Sequence, residues 1–336
     1  MKKDKNSPDA DLGFIDYNTD LEDEIKKFKE EFYKFKAGTE EQIDTVNFLL
    51  KTYYVDYESN KCKSVLKDIQ GISNELLAFV GNVCKEYGLE WWLDFGNLIG
   101  AVRHGDYVPW DDDLDIGMMR EDYLEFDKIF SREVKKYGLE DIIDVGYRPR
   151  DFLRKNTIGT FIQIYVRHQT YNSGSNRPIL GSVDIFPYDY IVDYDEETLD
   201  DVYLKAKNNY FHHKINRFNT YFCLDALYED LNLTFEDTGL IIPGVEGSCG
   251  PDEIYDLIVF DKDTIFPLNE IKFGNYTFPC PNDVNCYLNS IYGDYLSIPK
   301  NLHRHNRVEW YKYNPNNDEV FNKCFNKIKK VNEMFE

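Results

Sequence analysis

The stretch Trp91–Arg120, WWLDFGNLIGAVRHGDYVPWDDDLDIGMMR, constrains the fold more than any other part of the chain. An apolar run, Trp91-Trp92-Leu93, enters a small-residue turn at Gly96-Asn97, and a helix-compatible segment follows from Leu98 to His104. Turn residues Gly105 and Asp106 lead to Pro109-Trp110, and the stretch closes on an alternation: Asp111, Asp113 and Asp115 against Asp112, Leu114 and Ile116. Successive strand side chains point to opposite faces, so Asp113 and Asp115 share a face while Leu114 and Ile116 enter a core. At about 3.3 Å rise per residue the two carboxylates start roughly 6.6 Å apart and can converge on one metal or a metal pair. Acidic runs are ordinarily solvated faces. This one is fixed between Pro109-Trp110 and Ile116-Gly117, and it follows a turn able to approach a phosphate. Like charges held together repel, so a cation is expected there.

Two other metal or phosphate motifs fail at named positions. The D-x-D-x-D from Asp111 fits the start of an EF-hand loop, but Ile116 stands where Gly is required and Asp122 where Glu is expected. Gly96-Asn97-Leu98-Ile99-Gly100 is neither GxxxxGK[ST] nor GxGxxG. A Gly-polar turn, a short helix and a strand bearing D-x-D remain. That is the layout of the nucleotidyltransferase superfamily, in which the turn cradles nucleotide phosphates and the carboxylates hold magnesium, usually with a third carboxylate from a later strand.

The rest of the chain supplies a scaffold. Leu21, Ile25, Phe28, Phe32 and Phe35 recur at helical spacing behind a polar leader, and Ile43, Val46, Leu50 and Tyr53 mark a second helix. A third, about 62 to 87, carries Val65, Ile69, Ile72, Leu76, Val80 and Val83 and ends at Gly88. A helix over 121–137 precedes β-like runs at 142–147, 160–167 and 181–188. Short strands separated by turns, after a helix, predict a mixed or antiparallel α+β sheet flanked by helices. Residues 194–218 read as a helix, 219–262 as a loop-rich insertion with Pro243-Gly244 and Gly250-Pro251, 266–281 as a short hairpin, and 282–292 and 321–335 as helices. The expected division is a leader and helical N-terminal extension over 1–61, a catalytic domain over 62–310 with a variable insertion at 195–262, and a C-terminal helix over 311–336.

A net charge of −22 disfavours nucleic acid and anionic membrane surfaces, which require Lys and Arg. The best apolar window, Ile72 to Cys84, is too short and too polar to span a bilayer, and no signal peptide is evident. Seven irregularly spaced cysteines read as thiols. A cytoplasmic protein is expected, with peripheral attachment to a membrane glycan assembly left open.

Two further motifs follow the first: Val183-Asp184-Ile185-Phe186-Pro187-Tyr188-Asp189, and Tyr287-Leu288 through Ile291-Tyr292-Gly293-Asp294-Tyr295, with Pro299 and then a histidine. Together with WLDFGNLIGAVRHGDYVPWDDDLDIG they closely resemble the signature of the LicD family, which includes bacterial phosphocholine transferases and is related to the fukutin proteins. The resemblance runs from about 62 to 306 and implies a nucleotidyltransferase-like fold. It also implies magnesium-dependent (or manganese-dependent) transfer of a phospho-alcohol, typically phosphocholine from CDP-choline, to a hydroxyl of a glycan or glycolipid. By the same resemblance Asp113 and Asp115 are the metal-binding pair, Asp111 an additional ligand, and Asp184 the third carboxylate or the acceptor of the hydroxyl proton. Gly96 and Asn97 match the phosphate turn; the family commonly has Gly-Thr there and Gly in place of Phe95.

Other residues are candidates from their chemistry. The planar fork of Arg103 suits a phosphate oxygen, with a bridge to a nearby aspartate as the alternative. Asp94 stands beside the turn and would orient it or Arg103, and Trp110 is a candidate pocket wall. The basic stretch 300–307 holds His303 and His305, candidates for a clamp on an anionic donor or acceptor. Two rival functions are an NTP-using nucleotidyltransferase that releases pyrophosphate and a non-catalytic acidic interaction module on the same fold.

Overall fold

A computed structural model describes residues 26–39, 43, 63–149, 159–167, 179–216, 218–247, 257–297 and 317–335. The described part of the N-terminal segment is one helix, α1, over 26–39, and it belongs to a compact unit of its own, Met1–Tyr53 with Lys300–Leu302. Phe28, Phe32 and Phe35 form the expected stripe on it and are exposed, with the rings of Phe28 and Phe32 stacked at 6.5 Å. The second expected helix lies outside the described residues except at 43.

The larger unit begins with α2 (Lys63–Tyr87), whose predicted inner face, Val65, Ile69, Ile72, Leu76, Val80 and Val83, is buried, as its spacing requires. Burial of each such side chain contributes roughly 1.5–3 kcal/mol. Gly88 closes the helix at φ +69°, a conformation that costs a side-chain-bearing residue more than glycine. Then come β1 (Trp92–Leu93), α3 (Phe95–His104), β2 (Leu114–Met119), α4 (Arg120–Lys136), β3 (Ile143–Pro149), β4 (Gly159–Arg167) and β5 (Ile179–Ile191). In α4, Glu121 and Asp122 open the helix and Lys135 and Lys136 close it, matching its dipole.

The sheet is mixed, as expected. Its strands run in the order β1-β2-β5-β4-β3, with β2 and β5 parallel and every other pairing antiparallel. The parallel register sets Asp115 opposite Asp184, and the antiparallel register on the other side of β5 sets Gln163 opposite Asp184.

The segment expected to be loop-rich is instead structured. Its described residues hold α6 (Thr220–Leu231), β6 (Leu233–Thr234), β7 (Leu240–Pro243) and β8 (Phe260–Asp261), and the helix expected just before it, over 194–218, is α5 (Leu199–Ile215). β6 and β7 add to the C-terminal half of β5, and β8 adds to β7. The Asn219 side chain caps α6 by accepting from the Phe222 N–H at 2.8 Å. Strands of two to four residues are too short to show alternation, and the glycines and prolines nearby mask them. A separate apolar cluster, including Tyr203, Tyr210, Leu227 and Ile242, holds this region together.

The remaining elements are α7 (Lys262–Ile265), the hairpin β9 (Asn269–Phe273) and β10 (Tyr276–Cys280), α8 (Val284–Tyr292) and α9 (Asn317–Asn332). α9 docks on α2, where the Asn332 amide donates to the Glu75 carbonyl at 2.9 Å and to its carboxylate at 3.0 Å. Among the described residues no helix is long and apolar enough to cross a membrane.

Candidate active site

The site is built where α3 enters against β2. Asp94 precedes the helix, and its Oδ1 accepts from the Phe95 N–H at 2.8 Å. Phe95 itself sits at φ +43°, in the left-handed region where a bulky residue is strained by roughly 1–3 kcal/mol. That explains physically why a glycine suits this position, and here the buried ring packs edge-on against Phe186 at 5.1 Å.

Three hydrogen bonds fix the Asp115 backbone to this turn. Its N–H donates to Asn97 Oδ1 at 2.8 Å, and its carbonyl accepts from Asn97 Nδ2 at 2.8 Å and from the Asp94 N–H at 3.0 Å. The Asn97 side chain is buried, and its Oδ1 and one of its amide N–H donors are engaged by the strand, so Asn97 places Asp115.

Asp94 is fully buried, at 0% exposure. Its Oδ2 accepts from the Tyr188 hydroxyl at 2.7 Å and its Oδ1 from the Tyr287 hydroxyl at 2.8 Å. Burial pushes the carboxyl up to about 6, and the bonds from Tyr188, Tyr287 and the Phe95 N–H oppose that rise. Each of the three sequence motifs contributes one member of this network. Asp94 thus orients the turn, while Arg103 is held elsewhere.

At Gly96 a Cβ would lie 2.6 Å from Asp111 Oδ2, so a side chain there would push that carboxylate aside. The Asp111 carbonyl accepts from Gln70 Nε2 of α2 at 2.8 Å. Asp111, Asp112 and Asp113 can bring one oxygen each within 4.8 Å of one another. The alternation places Asp112 on the core-facing side, and it is indeed buried. It joins this group because β2 begins only at Leu114, so the three aspartates precede the strand and need not alternate.

Asp115 and Asp184 face each other across neighbouring strands, which lie about 4.8 Å apart in any sheet. Burial raises the Asp115 carboxyl well above the usual range, and the charges of Asp113, Asp184 and Asp111 raise it further. Asp184 accepts from Gln163 Nε2 at 2.7 Å. Gln163 carries no charge and lies in no motif, so the sequence offers no signal for it.

Of the other candidates, Arg103 Nη1 makes a long 3.5 Å contact to the Tyr295 carbonyl, joining α3 to the third motif. Trp110 is half-buried in the turn before the aspartates. His303 and His305 lie outside the described residues.

Residues 88–224, from the approach to β1 through the start of α6, match the family model for the nucleotidyltransferase domain of LicD, FKTN and FKRP. Over these residues the chain is similar to the LicD family. The lipopolysaccharide cholinephosphotransferase LicD of Haemophilus influenzae is 23% identical over 269 residues, covering 70% of this chain and 93% of that protein. The ribitol 5-phosphate transferase FKRP of Homo sapiens is 46% identical over 48 residues, which is 14% of this chain and 10% of that protein. An uncharacterized protein of Rickettsia typhi is 51% identical over 41 residues, 12% of this chain and 13% of that protein. The chain is an enzyme, and its LicD-type domain holds Asp94, Asp111, Asp113, Asp115, Gln163 and Asp184.

Proposed function

We propose that this protein transfers a phospho-alcohol group, phosphocholine or a close analogue, from a CDP-linked donor to a hydroxyl of a glycan or glycolipid, releasing CMP. The observation that carries the reading is the row of carboxylates beside the entry of α3: Asp115 and Asp184 in register on parallel strands, with Asp111 and Asp113 near Asp115. The named activities of the LicD and FKRP relatives support the same chemistry.

Magnesium or manganese fits this donor set, because such ions take carboxylate oxygens and clustered like charges favour a cation. Asp111, Asp113, Asp115 and Asp184 would hold it. When bound, it would neutralise charge on the donor phosphates. The protein's own part is positioning. Asn97 and Asp94 fix Asp115, Gly96 leaves room for Asp111, and N–H groups in the first turn of α3 offer hydrogen bonds to phosphate oxygens. In the transfer, the acceptor oxygen bonds the phosphorus that carries the alcohol, and the bond from that phosphorus to CMP breaks. The hydroxyl proton passes to Asp184. The reaction would take place on the cytoplasmic face, with the enzyme attached peripherally to a membrane glycan assembly.

Purified protein with magnesium and CDP-choline should release CMP when given the right glycan from a panel. An Asp113→Ala, Asp115→Ala double variant should lose at least ~10³-fold in turnover, and full activity in that variant would sink the mechanism. A second reading, an NTP-using nucleotidyltransferase, is favoured by the description of the matched domain. Product analysis separates the two, since it yields pyrophosphate instead of CMP. A non-catalytic module predicts no magnesium-dependent nucleotide binding by calorimetry.

A further inference from the structure

We propose that Gln163 is a positioning residue of the site, orienting the Asp184 carboxylate for the transfer step while leaving its negative charge in place for a cation. The proposal rests on the transfer reading above and extends it to a strand, β4, that carries none of the three motifs. Gln163 lies directly opposite Asp184 in the β4–β5 ladder, so the two side chains share a face, and Asp184 is in turn opposite Asp115. The row across three strands is therefore carboxylate, carboxylate, amide. Gln163 is 4% exposed, and its Nε2 donates to Asp184 Oδ1 at 2.7 Å, a short bond for an N–H donor. On the opposite face, its neighbours Ile162 and Ile164 are buried apolar residues that anchor the strand and so fix where the amide emerges.

The choice of donor is informative. Elsewhere on β5, Asp189 is met by the guanidinium of Arg120, at 2.6 Å and 2.8 Å. A guanidinium neutralises a carboxylate as well as orienting it. A neutral amide orients it and nothing more. At Asp184 an arginine or lysine would compete with a divalent cation for the same charge, whereas glutamine fixes the carboxylate plane without that competition. Groups that hydrogen-bond a metal-binding or catalytic side chain typically govern about 10–100-fold in metal affinity or activity.

The test compares Gln163→Leu and Gln163→Glu with the wild-type protein in three measurements. These are Mn2+ binding by electron paramagnetic resonance without donor or acceptor, kcat and donor KM from CMP release, and thermal melting. Gln163→Leu removes the donor and should weaken Mn2+ binding and lower kcat, each ~10-fold or more, with donor KM little changed. Gln163→Glu keeps the shape, loses the donor and adds negative charge. It should lower kcat while Mn2+ binding is retained or tightened, a split that loss of stability alone does not produce. If Gln163→Leu fails to fold, that split in Gln163→Glu decides the matter. Wild-type kcat in Gln163→Glu, or wild-type kcat and Mn2+ affinity in folded Gln163→Leu, would overturn the proposal. Failure of the transfer reading looks different. The wild-type protein would then release no CMP from any CDP-linked donor, yet the Gln163→Leu variant would still bind Mn2+ more weakly.

Discussion

The parallel pair β2 and β5, together with the first residue of α4, carries two buried charge centres, and they are built on opposite plans. At one point along the pair the facing residues are Asp115 and Asp184. Five residues further along each segment, the partners are Arg120 and Asp189. Glu246, from the inserted region, completes the second centre. Its carboxylate meets Arg120 at 2.9 Å and 3.0 Å, the Tyr210 hydroxyl donates to it at 2.7 Å, and the Tyr228 hydroxyl donates to Asp189 at 2.7 Å. Burial alone would raise the Glu246 carboxyl, but the Arg120 charge and hydrogen bonds pull it down to about 2. At Asp115, burial and the neighbouring carboxylates all push upward. In the same sheet, at similar depth, one carboxylate is strongly stabilised as an ion and the other strongly disfavoured. The arginine centre fastens the inserted region to the sheet. The acidic centre is tolerable for a folded protein when function requires a cation there.

The largest expected effect breaks the acidic centre. Asp115→Asn should cost ~10³-fold in turnover, yet the melting temperature without metal should hold or rise, since a disfavoured buried charge is removed. Arg120→Met should do the reverse. It leaves Asp189 and Glu246 buried without their cation, and unfolding by denaturant should show a loss of about 3–5 kcal/mol. If Asp115→Asn destabilised the protein as much as Arg120→Met, the contrast between the two centres would be wrong.

Acid titration sharpens the same contrast. The Glu246 carboxyl lies below its ordinary 4.5, so its contribution is complete above that pH and is lost as pH falls towards about 2. That limb should be absent in Arg120→Met. Asp94 acts in the opposite sense. Its carboxyl is raised from 3.8 to about 6, so it costs stability progressively as pH rises through that window. Tyr287→Phe removes one of the bonds that favour the ionised form, and should deepen that loss by about 1–2 kcal/mol above pH 6. Melts across pH 3–8 would show it, and an unchanged slope would mean Tyr188 and the Phe95 N–H hold Asp94 unaided.

Much of the acidic centre is legible in the sequence, and almost none of the arginine centre. The acidic run after Trp110, the capping glycine at 88 and Asp184 in its own apolar strand are local patterns, readable because period and turn chemistry are local properties, whereas the strand alternation expected of Asp113 is absent because β2 begins only at Leu114. Asn97 matches a phosphate turn in the sequence, and nothing local shows that its amide meets the Asp115 backbone. Gln163, Arg120, Asp189 and Glu246 acquire their roles only through strand register and long-range packing, which no single segment encodes. Asp94 stands out beside its turn, but the tyrosines that hold it come from segments 94 and 193 residues away in sequence, beyond the reach of pattern reading.

The smallest effects test how rigid each centre is, through its adjoining glycine. At Gly244 a Cβ would meet Arg120 Nη2 at 2.7 Å and the Pro187 carbonyl at 2.8 Å. The carbonyl belongs to β5 and cannot swing aside, so Gly244→Ala should cost about 1–3 kcal/mol in unfolding free energy. At Gly96 the close atom is Asp111 Oδ2, the far end of a flexible side chain. Gly96→Ala should therefore leave stability within about 1 kcal/mol of the parent, because the carboxylate moves and alanine suits a helix better than glycine. The displaced Asp111 would then be lost to the cation, and Mn2+ affinity should fall while the melt stays in place. A Gly96→Ala protein that melts several degrees lower with unchanged Mn2+ binding would mean that Asp111 supports the turn and takes no part in holding metal.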